Sequence, residues 1–366
     1  MSFVIIEYLK NEVKKMKKLF LTTFLILSLS ACQSRDEVIV AKEDQLKFSS
    51  IKTVQMPVLR NSEKRSFTDL NCDGIEDMIE INDHSSFFSL KNKYNLNYFE
   101  GYTDQDDQDN ISVTYKPSVL IPIDIDLSFF KSALKIDTAD VNGDGCSDIV
   151  FTTVEETRNN TELNIKVAYN LGNFNFISRE SKIVMNKGEE FQYWFNYLVK
   201  DISYDKDDSL SDYLKMDWAD FDGNGTDDLA LFIDEDSSLN VGVFYTQKTT
   251  ELYPVISSMD TFFIQNFLYH TSVKRIDTGD LNGDGLADII LALPDSGKNI
   301  ATSVALNHGD HFLINPTKHH IINLDLDLFS SATKRDLSDE NQDGKDDVVY
   351  IAELDDKPIK IVFYSE

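Results

Sequence analysis

The stretch that decides the fold is "DLNGDGLAD", Asp280–Asp288, which places three aspartates, one asparagine and two glycines within nine residues. Carboxylates this close repel each other. At a separation of about 4.5 Å and an effective dielectric near 20, each pair costs on the order of 3–4 kcal/mol. We therefore expect a positively charged partner at this loop.

The same nine-residue pattern occurs five times. The copies begin at Asp69, Asp140, Asp220, Asp280 and Asp339, so that successive starts lie 71, 80, 60 and 59 residues apart. Positions 1, 3, 5 and 9 are always Asp or Asn, position 6 is always glycine, and position 7 varies freely. A repeat near 60 residues, with insertions in the earlier copies, is thus the organising unit of the chain.

A hard cation explains this pattern. Calcium takes six to eight oxygen ligands, which short carboxylates at alternate positions can supply. Glycine at position 6 permits the left-handed turn that brings the chain around, and position 7 can vary if it offers only its backbone carbonyl. The sequence predicts up to five structural Ca²⁺ ions. The predicted ligands are Asp69, Asn71, Asp73, Ile75 and Asp77; Asp140, Asn142, Asp144, Cys146 and Asp148; Asp220, Asp222, Asn224, Thr226 and Asp228; Asp280, Asn282, Asp284, Leu286 and Asp288; Asp339, Asn341, Asp343, Lys345 and Asp347.

The loop is not an EF-hand, because that loop needs a glutamate at position 12 and a helix on either side. Position 12 is a glutamate only in the first copy, Glu80, and apolar runs typical of strands follow every copy. The loop is therefore expected to join two strands. The alternative to a calcium loop is a turn rich in Asp and Asn that holds no metal.

The pattern Asp-x-(Asp/Asn)-x-(Asp/Asn)-Gly-x-x-Asp, followed by a buried strand and repeated near 60 residues, resembles the FG-GAP/VCBS repeat of integrin-alpha-type β-propellers. The resemblance covers nearly all of the chain after the N-terminal segment, although the literal Phe-Gly and Gly-Ala-Pro signatures are absent. It implies an all-β fold, a propeller over residues 51–366, with four strands in each blade and a calcium-binding loop in each repeat. Five loops predict five blades. Six or seven are the alternatives, because the two longest gaps have room for a degenerate blade.

The last repeat ends after its third strand, "PIKIVFYSE". Propellers often complete such a blade with a strand from the other end of the chain, which leaves only short, protected edges. We expect "KFSSIKTVQ", which ends at Gln55, to supply the missing strand.

The N-terminal segment has the features of an export signal. Met16–Cys32, "MKKLFLTTFLILSLSAC", has two lysines, an apolar run and small residues before a cysteine. Its end resembles a bacterial lipobox, which implies cleavage before Cys32 and lipid attachment to that residue; an ordinary signal peptide is the alternative. We assign residues 1–31 to the signal peptide, with Met16 as an alternative start, and residues 32–50 to the lipidated cysteine and a tether. By the same resemblance, Gln33 after the cysteine favours the outer membrane, with the periplasmic or surface face left open.

The net charge argues about possible partners, and the cysteine positions argue about disulfide pairing. The formal net charge of −28 argues against nucleic acid, which requires basic patches. Cys72 and Cys146 stand in equivalent loops of different repeats. We expect them to lie apart and unpaired, although an exported protein can pair its cysteines.

Acidic residues stand three positions before four of the five loops: Asp137, Asp217, Asp277 and Asp336. In a propeller the first strand of each blade lies nearest the axis, so these side chains are expected near the axis. We favour ion pairing between blades over a ligand site at the mouth of a channel.

Two insertions are singular features on this repetitive frame. Residues 101–110 are expected to form an acidic polar loop. Residues 179–211 contain the aromatic residues Phe191, Tyr193, Trp194 and Tyr197, which could stack on sugars or contact a protein. The alternative is that this segment packs on a blade as a short helix.

The sequence shows none of the common hydrolase, metalloprotease or phosphate-loop motifs, so we expect no enzymatic activity. We interpret the chain as a lipid-anchored envelope propeller that binds protein or glycan ligands as an adhesion or scaffold module. The alternatives are a calcium-dependent, lyase-like enzyme acting on polysaccharides and a structural subunit of an envelope assembly.

Overall fold

The computed structural model describes residues 48–56, 64–82, 94–105, 111–123, 135–156, 161–172, 174–183, 214–235, 238–249, 255–265, 276–294, 300–310, 312–314, 320–322, 334–354 and 357–365. The chain divides into two compact units, Met1–Gln45 and Leu46–Glu366, and every described residue belongs to the second. The expected signal peptide and Cys32 lie outside these ranges. Within them all regular structure is β-strand, and none of these residues belongs to a helix long and apolar enough to cross a membrane.

The strands form five antiparallel sheets that are the blades of a propeller, as the sequence predicts. Blade 1 contains β2 (Lys64–Thr68), β3 (Asp77–Asn82), β4 (Tyr94–Phe99) and β7 (Val119–Ile123), with an added hairpin of β5 (Gly101–Gln105) and β6 (Ile111–Tyr115); blade 2 contains β8 (Lys135–Ala139), β9 (Asp148–Glu156), β10 (Thr161–Asn170) and β11 (Phe176–Ile183); blade 3 contains β12 (Leu214–Ala219), β13 (Asp228–Glu235), β14 (Ser238–Gln247) and β15 (Val255–Gln265); blade 4 contains β16 (Ile276–Gly279), β17 (Asp288–Pro294), β18 (Ile300–Asn307), β19 (Phe312–Ile314) and β20 (His320–Ile322); blade 5 contains β21 (Lys334–Ser338), β22 (Asp347–Leu354), β23 (Lys357–Ser365) and β1 (Phe48–Gln55).

The second strand of blade 3 is apolar on both faces, because neighbouring blades cover both sides of the sheet. In β13, Leu229, Ala230, Leu231 and Phe232 are all at most 1% exposed. The outer strand β15 instead alternates, with Ile264 buried and Phe263 55% exposed. The core therefore lies between blades, as in a cluster of buried apolar residues that joins blades 3 and 4 and includes Phe232 and Ile289.

The ring closes with five blades. The first strand of each blade contacts the first strand of the next, in the order β2, β8, β12, β16 and β21, and β21 contacts β2 again. The fifth blade is completed by β1, which pairs antiparallel with β23 and aligns Lys52 with Val362 and Gln55 with Ile359. The prediction that the N-terminal strand closes the propeller is confirmed. β1 begins at Phe48, inside the segment assigned to the tether.

The first insertion is more ordered than expected. Gly101–Gln105 is a strand that pairs with Ile111–Tyr115, so that Gly101 lies opposite Tyr115. The prediction of a polar loop over residues 101–110 is therefore wrong for residues 101–105, while residues 106–110 lie outside the described ranges. The buried Gly101 explains the difference, because an added Cβ there would lie 2.1 Å from the carbonyl oxygen of Glu76. The hairpin thus packs closely against the first blade.

Candidate functional site

The five Asp-rich loops occupy equivalent places, each joining the first strand of a blade to its second strand. All the predicted ligand residues lie in described ranges. We number the loops 1 to 5 with their blades and the residues of each loop from position 1 to position 9.

The aspartate at position 1 organises the turn. In loop 4, Asp280 Oδ1 accepts hydrogen bonds from the N–H groups of Gly283 at 2.7 Å and Asp284 at 3.1 Å, and Oδ2 accepts from Gly285 at 2.7 Å. Gly285 has φ +83°, a left-handed conformation that favours glycine. Asp69, Asp140, Asp220 and Asp339 accept equivalent bonds. Burial raises the pKa of each of these four side chains.

Positions 3 and 5 continue the turn. Asn282 Oδ1 accepts from the N–H of Asp284 at 2.8 Å, and its Nδ2 donates to Asp284 Oδ2 at 3.0 Å. Asp284 Oδ1 accepts from the N–H of Leu286 at 3.0 Å. These are the hydrogen bonds of an Asp- and Asn-rich turn, the expected alternative to a metal loop. Each of these oxygens has a second lone pair, so the same turn also presents several oxygens to a cation.

The aspartate at position 9 is buried in every blade and accepts hydrogen bonds from the backbone. Asp288 is fully buried; its Oδ2 accepts from the N–H of Leu281 at 3.1 Å and its Oδ1 from the N–H of Asn307 at 2.8 Å. The carboxylate therefore joins the loop to the end of the third strand. Burial raises the pKa of Asp288 to about 8.

Loops 1, 3 and 5 repeat both of these hydrogen bonds, and the pKa shift at position 9 is smaller in loop 1 than in the other loops. Burial raises the pKa of Asp148, Asp228 and Asp347 to about 8, as in loop 4. In loop 1, burial raises the pKa of Asp77 only to about 6, because four hydrogen bonds lower it again. In loop 2, Asp148 Oδ2 is buried and has no hydrogen-bond partner among the described residues.

Loop 3 brings three carboxylates together. Oxygens of Asp220, Asp222 and Asp228 lie within 4.8 Å of one another, an arrangement that could hold a metal ion. Loop 3 has an aspartate at position 3, where the other loops have asparagine. In loop 3 the structure thus brings together positions 1, 3 and 9. A role for the carbonyl at position 7 stays a prediction.

Neighbouring loops are stacked around the axis by a repeated backbone hydrogen bond. The N–H at position 8 of one loop donates to the carbonyl at position 1 of the loop before it. The four bonds are Ser147 to Asp69 at 3.0 Å, Asp227 to Asp140 at 2.9 Å, Ala287 to Asp220 at 2.7 Å and Asp346 to Asp280 at 2.7 Å.

This stacking overturns the expectation for the cysteines. Cys72 and Cys146 form a disulfide, with a Cα–Cα distance of 4.9 Å. Cys72 is at position 4 of loop 1 and Cys146 is at position 7 of loop 2, and these two positions always meet between adjacent loops. A Cβ added to Gly143 at position 4 of loop 2, for instance, would lie 2.8 Å from Thr226 at position 7 of loop 3. Equivalent loops of successive repeats are neighbours. The equivalent loops that hold Cys72 and Cys146 therefore place the two cysteines close together and not apart.

An axial cavity of about 350 Å³ lies inside the ring and is lined by residues of all five blades. Nine of the lining residues are Asp or Glu, and no described lining residue is basic. Three of these acids stand three positions before a loop, as the sequence predicts. Asp217 Oδ2 accepts from the N–H of Thr278 at 2.9 Å, and Asp336 Oδ2 accepts from the N–H of Phe67 at 3.3 Å. These two hydrogen bonds link each blade to the backbone of the next blade, and ion pairing between blades stays a prediction.

The sequence did not lead us to expect three further acids in the lining, which stand at position 8 of loops 1, 3 and 5: Glu76, Asp227 and Asp346. Asp227 Oδ2 accepts from the N–H of Asp140, and Asp346 Oδ2 accepts from the N–H of Asp280, both at 2.7 Å. Burial raises the pKa of both aspartates to about 7, and it raises the pKa of Glu76, the third, well above its usual range. The signal was in the repeat, where position 8 is acidic in loops 1, 3 and 5 and small in loops 2 and 4.

The predicted ligand-binding residues Phe191, Tyr193, Trp194 and Tyr197 lie outside the described ranges. Blade 1 carries three exposed large apolar side chains: Tyr102 on the hairpin strand β5 and Val119 and Leu120 on the outer strand β7, which are 41%, 59% and 53% exposed. Tyr102 lies in the insertion that was expected to be an acidic polar loop, and no sequence motif marks Val119 or Leu120.

Comparisons with known proteins give likenesses to solved structures only. No protein-family model matches the chain, and no curated protein matches it. Among solved structures, the crystal structure of the exotype rhamnogalacturonan lyase YesX is similar with a TM-score of 0.31 and 10% sequence identity. The likeness covers 85% of this chain, which spans 59% of the length of the lyase.

Proposed function

We propose that the protein is a calcium-stabilised propeller, anchored through Cys32 to the outer membrane, that binds a protein or glycan ligand. The exposed surface of blade 1 and the aromatic insertion at residues 191–197 would provide the binding surface. The observation that carries the proposal is the exposure of three large apolar side chains of the first blade, Tyr102, Val119 and Leu120, since large apolar side chains left in solvent can mark an interaction site.

The loops support the calcium part of this proposal. Each loop carries oxygen donors at positions 1, 3, 5 and 9, and in loop 3 the side-chain oxygens of Asp220, Asp222 and Asp228 lie within 4.8 Å of one another. Hard oxygen donors of this kind suit Ca²⁺ rather than a transition metal. Because the site is repeated in every blade, we assign it a structural role, and the ion would hold the first two strands of each blade together.

Metal removal tests the calcium part. Each occupied site stabilises the fold by about 2.7 kcal/mol when the free ion is at a hundredfold excess over its dissociation constant. The domain from Gln33 onward should therefore lose much of its thermal stability in chelator and recover it in Ca²⁺ but not in an equal concentration of Mg²⁺. A melting temperature that is the same with and without chelator would overturn the assignment.

Ligand retention tests the binding part. The same domain, in calcium, would be applied to immobilised cell-surface polysaccharides and to envelope protein extracts, with retention and chain cleavage scored together. We expect retention without cleavage, weakened in Leu120→Ser and in Trp194→Ala and unchanged in Leu171→Ser, an exposed leucine of blade 2. Cleavage of a polysaccharide would favour the lyase-like alternative, and retention that no variant weakens would remove both proposed surfaces.

A further inference from the structure

The axial cavity has a second feature besides its excess of acids. Glu76 lines the cavity, and its Oε2 is buried without a hydrogen-bond partner among the described residues. The hydroxyl of Ser338, in blade 5, lies close to the same carboxyl group but donates its hydrogen bond to Glu340 Oε1, at 3.4 Å. Glu76 therefore lies at the seam between blades 1 and 5 with one oxygen unused.

The equivalent acids of other loops show that this is specific to Glu76. Asp227 and Asp346, also at position 8, each accept a backbone N–H at 2.7 Å from the preceding loop. Glu76 has one more methylene group than these aspartates, and its buried Oε2 accepts no hydrogen bond from the described residues. A buried carboxylate oxygen without a donor costs about 1–3 kcal/mol or more, so a donor from outside the chain would stabilise it.

The remaining lining indicates what kind of donor fits. An anion is excluded by the carboxylates of the wall, and a bare metal ion is much smaller than a cavity of about 350 Å³. Phe67 and Trp218 contribute aromatic surface to the same wall, alongside hydroxyl groups such as that of Thr138. Carboxylates with aromatic faces suit alkylammonium groups, which donate hydrogen bonds, pair with charge and pack on rings.

We propose that the axial cavity binds a small organic cation that carries two or more ammonium groups on an aliphatic chain, with Glu76 as the anchoring carboxylate. The methylene groups of such a ligand contact Phe67 and Trp218, and its ammonium groups neutralise part of the acidic wall. This site goes beyond the proposed function and does not depend on it.

Calorimetry with spermidine tests the site. The domain from Gln33 onward, kept in saturating Ca²⁺, should bind one spermidine per chain. Glu76→Gln should weaken that binding roughly tenfold, the loss expected for one charged hydrogen bond. Asp260→Asn is the matched control, because it removes the same charge from an exposed position on the outer strand β15. It should change the affinity less than twofold, and melting curves would confirm that both variants fold.

Tryptophan fluorescence places the ligand. The chain has two tryptophans, Trp194 and Trp218, so Trp194→Phe leaves only the one that lines the cavity. Spermidine should change its emission with the same midpoint as the calorimetric titration, and butylamine, with one ammonium group, should do so only at much higher concentration.

Two results would overturn the proposal. One is the absence of saturable spermidine binding in calcium, which leaves the proposed calcium and ligand roles untouched. The other is an equal loss in Glu76→Gln and Asp260→Asn, which would show that spermidine follows the net charge of the protein and not the cavity.

Discussion

Blade 1 meets blade 2 on one side and blade 5 on the other. These two junctions differ from each other and from the three junctions between the remaining blades. Position 4 is glycine where loops 2, 3 and 4 face the next blade, but it is Cys72 in loop 1 and Gln342 in loop 5. The junction of blades 1 and 2 is covalent, through the disulfide of Cys72 and Cys146. The junction of blades 5 and 1 instead contains a buried ion pair, in which Lys360 Nζ lies 2.6 Å from Glu340 Oε2 and both side chains are fully buried.

The ion pair belongs to the place where the two ends of the chain meet. Lys360 also donates to the carbonyl of Val113 at 2.5 Å and lies 4.6 Å from the ring centre of Tyr115, so that it joins blade 5 to the hairpin of blade 1. Position 2 is apolar in the other four loops and is a glutamate only in loop 5. The comparison indicates that the junction of blades 5 and 1 is held by the hydrogen bonds and the ion pair of Lys360 as well as by apolar packing.

The largest expected effect comes from breaking the buried pair. Lys360→Met leaves Glu340 buried without its cation, which should lower the free energy of unfolding by about 3–5 kcal/mol. The measurement is chemical denaturation of the calcium-loaded domain.

The matched control for this prediction is the double variant Lys360→Met, Glu340→Leu, which copies the apolar position 2 of loops 1 and 4. Replacing both partners of a buried pair by apolar residues is often neutral or stabilising, so the double variant should recover most of the loss. A double variant as unstable as the single one would show that the lysine acts through Val113 and Tyr115 rather than through the pair.

The next effect comes from opening the covalent junction. The disulfide closes a loop over a sequence separation of 74 residues. Cys72→Ala with Cys146→Ala should therefore cost about 2–4 kcal/mol. The same change should be produced in the wild-type domain by a reducing agent, because Cys32 is absent from the domain that starts at Gln33. An unchanged stability on reduction would mean that the stacked loops hold this junction by their backbone hydrogen bonds.

The repeat predicted most of the fold because each blade repeats the same local solution. Loop positions 1, 6 and 9 fix the turn between two strands, and the short last repeat indicated closure by the N-terminal strand. The contacts between blades were harder to predict, since they depend on how one loop lies on the next. The disulfide of Cys72, the hairpin at Gly101 and the partner of Glu340 all lie at such contacts, where the periodicity of one strand gives no information.

The pH dependence of stability should differ between the metal-free domain and the calcium-loaded domain. In the metal-free protein, burial raises the pKa of Asp347 to about 8 and that of Asp77 to about 6, above the ordinary value of 3.8. A raised pKa in the folded state gives stability that is complete at low pH and is lost as the pH rises through the folded pKa. The metal-free domain should therefore become more stable as the pH falls from 8 to 5.

The calcium-loaded domain should show the opposite trend, because protons compete with the ion for the same oxygens. Melting temperatures of demetallated and loaded protein across this range would check both signs. If the demetallated domain loses stability steadily from pH 8 to pH 5, these carboxylates are ionised in the fold and the loops are held by other groups.

The smallest effect concerns position 4 of loop 5. Gln342 has φ +58°, a left-handed conformation that costs a residue other than glycine about 1–2 kcal/mol. Gln342→Gly should relieve this cost, less the extra entropy that glycine loses on folding, and so stabilise the domain by about 0.5–1 kcal/mol in chemical denaturation. Gly143→Ala is the counterpart and should destabilise, because Gly143 has φ +72° and its added Cβ would crowd Thr226. A loss of stability in Gln342→Gly would instead place the glutamine side chain among the contacts that close the ring. The strained backbone would then be retained because the junction of blades 5 and 1 needs a side chain at this position, just as the junction of blades 1 and 2 needs Cys72.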